Sequence, residues 1–196
     1  VALIVISALG WARRHKRDFD AVISIEDPDA KNGLRFHHNP HPDHVLLRFV
    51  DLDRPLPSPH CNLPKFRLAQ QEHVAAALAL ARRNIEKTLL VHCHAGVSRS
   101  TAIALAIIAE RFGAGREIQA LQEILRLRPE AVPNLHVVAL ADALLKCNGR
   151  LLAAVKGWDV TQYDNLLRRR QQRQAYFLYY GLPRTSEPEL FAGYSF

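Results

Sequence analysis

Between a short β-branched run and an almost wholly apolar helical run, the chain sets a cysteine and an arginine with five residues between them. The segment is His92-Cys93-His94-Ala95-Gly96-Val97-Ser98-Arg99-Ser100. Thr88-Leu89-Leu90-Val91-His92 reads as a strand that ends at the cysteine. Ser100 to Phe112 reads as a buried helix that begins just after the arginine, with Gly113 as its stop. A tight loop that feeds a helix suits an anion, because successive backbone N–H groups can point inward and the helix N-terminus adds partial positive charge. His94, Ala95, Gly96, Val97 and Ser98 are therefore the expected phosphate-binding residues, acting through their backbone. Gly96 allows dihedrals that a side chain would resist. Arg99 supplies a planar fork that can grip two phosphate oxygens at once.

A thiolate is also an anion, so the cradle that suits phosphate favours the ionised form of Cys93. An ionised cysteine beneath a bound phosphate is a nucleophile for phosphoryl transfer. Ser100, directly after the arginine, can donate a hydrogen bond to the sulfur when it becomes the leaving group. A lone cysteine at a strand end is usually an inert packing residue. Cys93 and Arg99 at this spacing, between strand and helix, argue for chemistry instead.

Around this junction the chain alternates strands and helices. Ala2–Ile6, Ala21–Ile25 and Val45–Val50 read as short buried strands, and the third delivers Asp51 and Asp53 at its end. Residues 26–44 form a loop opening on Glu26-Asp27-Pro28-Asp29, and four prolines make 55–64 irregular. Helices are expected over Leu68–Ile85, Glu117–Leu127, and from Asn134, as cap, to about Lys146. Strands among helices, then a helical second half, give an α/β class. Arg168-Arg169-Arg170-Gln171-Gln172-Arg173 reads as a solvated helix end. The aromatic segment Tyr176–Tyr180 then packs on the core or on a second copy of the chain.

Composition narrows the function classes. No apolar run approaches the ~18 residues of a membrane span, which excludes an integral helical membrane protein. The net charge of +7 is spread along 196 residues, and no nucleic-acid motif accompanies it. A basic surface also steers anionic substrates. Three cysteines without paired spacing point to a reducing, cytoplasmic compartment. Cys61 and Cys147 have no recognisable partner and are expected to be structural. The passage His37-His38-Asn39-Pro40-His41-Pro42-Asp43-His44 carries imidazoles, but its prolines and lack of a nearby cysteine favour a loop over a metal site.

The segment from His92 to Ser100 resembles the HC-x5-R-[ST] signature loop of the cysteine-dependent protein tyrosine phosphatase superfamily. The mid-chain position of the loop resembles the dual-specificity and related small bacterial branch. Arg128-Pro129-Glu130-Ala131-Val132-Pro133-Asn134 is similar to the segment before the last core helix of those bacterial members. The resemblance covers about 20–149. It implies a central, mostly parallel sheet flanked by helices, with 1–150 as the phosphatase domain and 151–196 as a C-terminal extension. It further implies hydrolysis of phosphate monoesters, with phosphotyrosine or phosphoserine/threonine in proteins as substrate and no metal or organic cofactor. Cys93 would form a phosphocysteine while an aspartic acid protonates the leaving oxygen, then serves as base towards water.

In such proteins the acid follows an upstream strand, often in a Phe-x-Asp context, which Phe49-Val50-Asp51 fits. Asp51 is the expected acid and Asp53 the runner-up. For either, the plainer role is a turn carboxylate bonded to nearby backbone. His92 is expected to buttress the loop. Asn134 caps a helix, and the resemblance adds that it can tether the loop. Two rival functions stand beside this reading: a phosphoinositide or other non-protein phosphate monoesterase, and a catalytically silent phosphate-binding module. The absence of lysine between Cys93 and Arg99 disfavours highly charged inositol phosphates.

Overall fold

The computed structural model describes residues 3–30, 41–56, 63–179 and 181. Four strands form one sheet: β1 (Ile4–Ala8), β2 (Ala21–Glu26), β3 (His44–Arg48) and β4 (Leu89–Cys93). Their order is β1-β4-β2-β3, and every pairing is parallel. β2 and β4 are buried along their whole length, as strands covered on both faces must be. The central position of β4 places Cys93 at the carboxyl edge of the sheet, between the ends of β1 and β2. That edge is where open α/β sheets bind ligands.

Alternation along the strands sorts the two faces. Ile4, Ile6, Ile23, Ile25, Leu89, Val91 and Cys93 face the main core. The helices that fill that core are α2 (Gln71–Arg83), α3 (Arg99–Phe112), α4 (Glu117–Leu127), α5 (Leu135–Leu144) and α6 (Arg150–Thr161). Val22 and Leu90 face the other way, against Leu9, Ala12 and Phe19. Leu9 and Ala12 belong to α1 (Leu9–His15), a seven-residue helix too short to announce itself by periodicity.

The expected boundary near 150 falls at the start of α6, whose Leu151 and Val155 are buried in the main core. A last helix, α7 (Tyr163–Tyr179), follows. Its charge run is not wholly a solvated face, since Arg169 and Arg173 are both partly buried. Arg169 is turned inward, where Nε donates to Asp159 Oδ2 at 2.8 Å and Nη1 to the Pro133 carbonyl at 2.9 Å. Asp159 is fully buried, so the pair replaces water that neither charge retains. Cys147 is buried, whereas Cys61 and His37 to Pro40 lie outside the described residues.

Candidate active site

The loop from His94 to Ser98 is held from outside by its carbonyls. The His94 carbonyl accepts from Leu9 N at 3.1 Å, and that of Val97 from Val132 N at 2.9 Å. The Gly96 carbonyl accepts from Arg128 Nε at 3.1 Å. The Ser98 carbonyl takes Ala102 N as the first turn of α3 begins, and Thr101 Oγ1 donates to the Val97 and Ser98 carbonyls. With these carbonyls directed outward, the Gly96 N–H points inward and donates to Cys93 Sγ at 3.2 Å. Ser100 Oγ lies 3.2 Å from the same sulfur, within hydrogen-bond reach. Cys93 is thus a buried sulfur at the amino end of a fourteen-residue helix.

Gly96 is required by space as well as by conformation. Its φ is +75°, and a Cβ there would stand 2.5 Å from the carbonyl carbon of Ser7 and 2.6 Å from Ala8 N. The loop lies directly on the end of β1. His94 and Ala95 are the exposed members of the loop, and Ser98 is buried.

Arg99 is oriented by backbone and carboxylate together. Its Nη1 donates to Asp27 Oδ1 at 2.7 Å and to the Phe49 carbonyl at 2.9 Å, and Nε stands 3.8 Å from Asp51 Oδ2. The Arg99 side chain is 5% exposed, against about a quarter for each aspartate side chain. Sequence reasoning passed over Asp27, which it placed at the opening of a loop. The signal that could have found it is its place one residue beyond β2, at the carboxyl edge of the sheet beside β4. Burial pushes the Asp27 carboxyl up, with the neighbouring Asp51 adding to the rise and Arg99 opposing it.

The two candidate acids differ in what holds them. Asp51 Oδ1 accepts from Ser98 Oγ at 2.6 Å and from Asn134 Nδ2 at 3.0 Å, so this carboxylate abuts the loop. Asp53 Oδ1 accepts from Leu135 N at 2.6 Å, at the start of α5. Burial pushes the Asp53 carboxyl up, against the pull of Arg169. Asn134 serves two elements at once: its Oδ1 caps α5 through Val137 N, and its Nδ2 holds Asp51. Its own N–H reaches the Ser98 carbonyl at 3.4 Å.

Behind the loop, His92 is buried on the α1 face of β4, with Nε2 2.6 Å from Ser24 Oγ. His44 Nε2 lies 2.7 Å from the same hydroxyl. Burial drives the His92 pKa down to about 4, so the ring is neutral at pH 7. Of the remaining histidines of interest, His41 lies 2.7 Å from the Phe19 carbonyl through Nε2. Among the described residues no group of three or more metal-ligating side chains assembles.

No family model matches the chain, and no curated protein does. Solved structures do. PTPMT1 in its complex with PI(5)P aligns over 76% of this chain and 94% of its own, at 16% identity and a TM-score of 0.54. DUSP15 aligns over 80% of this chain and 92% of its own, at 19% identity and a TM-score of 0.51. The PTP-2 phosphatase of Cydia pomonella aligns over 72% and 84%, at 23% identity and a TM-score of 0.51. The parallel sheet flanked by helices is therefore the fold of protein tyrosine and dual-specificity phosphatases.

Proposed function

We propose that this chain is a cysteine-dependent phosphatase that hydrolyses phosphate monoesters, with phosphorylated side chains of proteins as its substrate class. The observation that carries the reading is the environment of Cys93. Its sulfur takes a hydrogen bond from the Gly96 N–H and stands beside Ser100 Oγ, at the head of α3 and next to an arginine held by Asp27. In the first step the Cys93 thiolate attacks phosphorus as the ester P–O bond breaks, and Asp51 gives its proton to the departing oxygen. In the second, water attacks the phosphocysteine while Asp51 takes a water proton. The S–P bond breaks, inorganic phosphate leaves, and the thiolate is received by the Gly96 N–H and the Ser100 hydroxyl. Backbone N–H groups of residues 94–98 and the Arg99 fork stabilise the equatorial oxygens, where charge accumulates.

Asp51 is preferred to Asp53 because it abuts Ser98 and Arg99, whereas Asp53 is spent on the start of α5. The catalytic set is thus Cys93, Arg99, Asp51 and Ser100, working without metal or organic cofactor. No helix among the described residues is long and apolar enough to cross a membrane. The sparse cysteines support a cytoplasmic setting. Turnover of nitrophenyl phosphate by the wild-type chain, abolished in Cys93→Ser, tests the reading. A silent phosphate-binding module would show binding of inorganic phosphate with no turnover in either protein. Phosphopeptides and inositol phosphates offered side by side distinguish the two substrate classes.

A further inference from the structure

The loop that carries Asp51 has a core of its own. Val50 and Leu52, which flank the carboxylate, are buried with Leu56, Phe66 and Phe177, apart from the cluster beneath the sheet. Four of these five belong to 50–66, but the fifth comes from the end of α7. Phe177 is 2% exposed, while the next residue, Leu178, is 70% exposed. Phe177 therefore faces this cluster while its neighbour stands in water.

The rest of α7 is built to deliver that side chain. Asn165, Arg169, Arg173 and Phe177 recur every fourth residue and form one stripe. Asn165 is buried, Arg169 is tied to Asp159 and to the Pro133 carbonyl, and the Arg173 guanidinium lies 5.5 Å from the Phe177 ring centre. Pro133 precedes Asn134, whose side chain holds Asp51. The same helix thus touches the acid loop at Phe177 and the segment that bonds Asp51 at Arg169. The loop is tied elsewhere too: Val50 N donates to the Arg67 carbonyl, and the Asp53 side chain accepts from Leu135 N.

We propose that α7 is a clamp on the acid loop, in which Phe177, packed in one cluster with Val50 and Leu52, holds Asp51 against Ser98 and Arg99 and so sets how well the enzyme protonates a poor leaving group. Phe177 is a positioning residue, since it touches no reacting atom. The proposal rests on the phosphatase reading for its chemistry, though not for its structural half.

The test uses the full chain. Phe177→Ala should lower kcat on a phosphotyrosine peptide by about tenfold or more, because a displacement of about 1 Å is enough for such losses, with a much smaller loss on nitrophenyl phosphate. Alkylation of Cys93 by iodoacetamide should proceed at the wild-type rate, which shows the cradle intact. In an Asp51→Asn background, Phe177→Ala should cost nothing further on the peptide. Phe177→Leu, which keeps apolar bulk, should recover most of the loss, and it serves as the graded variant if Phe177→Ala does not fold. Equal losses on both esters, or additive losses in the double variant, would overturn the clamp. Amide hydrogen exchange over 50–56 separates the two claims. If wild type shows no turnover, the phosphatase reading fails, and the clamp still stands or falls on whether Phe177→Ala accelerates exchange there. Unchanged exchange overturns it.

Discussion

At the scale of single residues, Gly96 is the most exacting position. Alanine there would meet the Ser7 carbonyl carbon at 2.5 Å and would hold a left-handed backbone, which alone costs about 1–2 kcal/mol. The loop must shift off β1 to accept it, so Gly96→Ala is expected to lower kcat/KM for aryl phosphates by about a hundredfold. A wild-type rate in steady-state assay would show that the loop is not positioned by that contact. The two acids give a second residue-level test. Asp51→Asn should lose more rate as the leaving group becomes more basic. Asp53→Asn should stay near wild type, because an amide oxygen can still accept from Leu135 N. Since burial raises the Asp53 carboxyl, its ionised form is disfavoured in the folded chain, and Asp53→Asn should melt at the same or a higher temperature at pH 7. A selective leaving-group effect in Asp53→Asn rather than Asp51→Asn would move the acid by two residues. His92 sets a pH window. Its pKa falls from 6.5 in the unfolded chain to about 4 in the folded one, so the unfolded state binds more protons between these values. Stability is fully present above pH 6.5 and falls by about 3 kcal/mol as pH drops through 4, at about 1.4 kcal/mol per unit. Denaturant titrations at pH 7 and pH 5 should show most of that loss, and His92→Gln should not. The approach of Ser100 to Cys93 was legible in the sequence as a spacing between a strand and a helix. Asp27 was not, because its nearness to Arg99 comes from β2 lying beside β4, which no local pattern encodes.

At the scale of elements, the strands were readable because burial on both faces leaves continuous apolar runs. The third strand is shorter than its apolar run: it ends at Arg48, Phe49 N still donates to the Glu26 carbonyl, and Val50 turns into the loop that carries Asp51. Periodicity marks where apolar residues recur, and it cannot say which of them pair with a partner strand. The same limit hid the role of α7, whose stripe mixes Asn165 and two arginines with one phenylalanine and so lacks an apolar period. Asn134 links two elements, as its sequence position at the start of α5 suggested only in part. Asn134→Ala removes the cap of α5 and one of the two hydrogen bonds on Asp51 Oδ1. It should cost about 1 kcal/mol of stability in thermal or denaturant unfolding, as loss of a cap does. It should also reduce turnover of poor leaving groups more than that of nitrophenyl phosphate. Loss of stability alone would confine Asn134 to capping.

At the scale of the whole molecule, the chain contains a sheet core shared with α2 to α6 and a smaller cluster to which α7 contributes Phe177. Ending the chain after Gln162 would keep Leu151 and Val155 in the main core and remove Arg169 and Phe177 together. The shortened protein is expected to unfold cooperatively, to turn over nitrophenyl phosphate, and to lose activity on phosphopeptides. Ending it after Gly149 also strips Leu151 and Val155, and a lower melting temperature should follow from two lost core side chains at about 2 kcal/mol or more each. The covalent step at Cys93 is open to direct observation by mass. Wild-type protein mixed with an aryl phosphate, quenched in acid within a turnover and weighed by intact mass spectrometry, should carry one added phosphoryl group, mapped by fragmentation to Cys93. Cys93→Ser should carry none and release no phosphate. Phosphate release by Cys93→Ser at the wild-type rate, or an adduct on any other residue, would contradict the account.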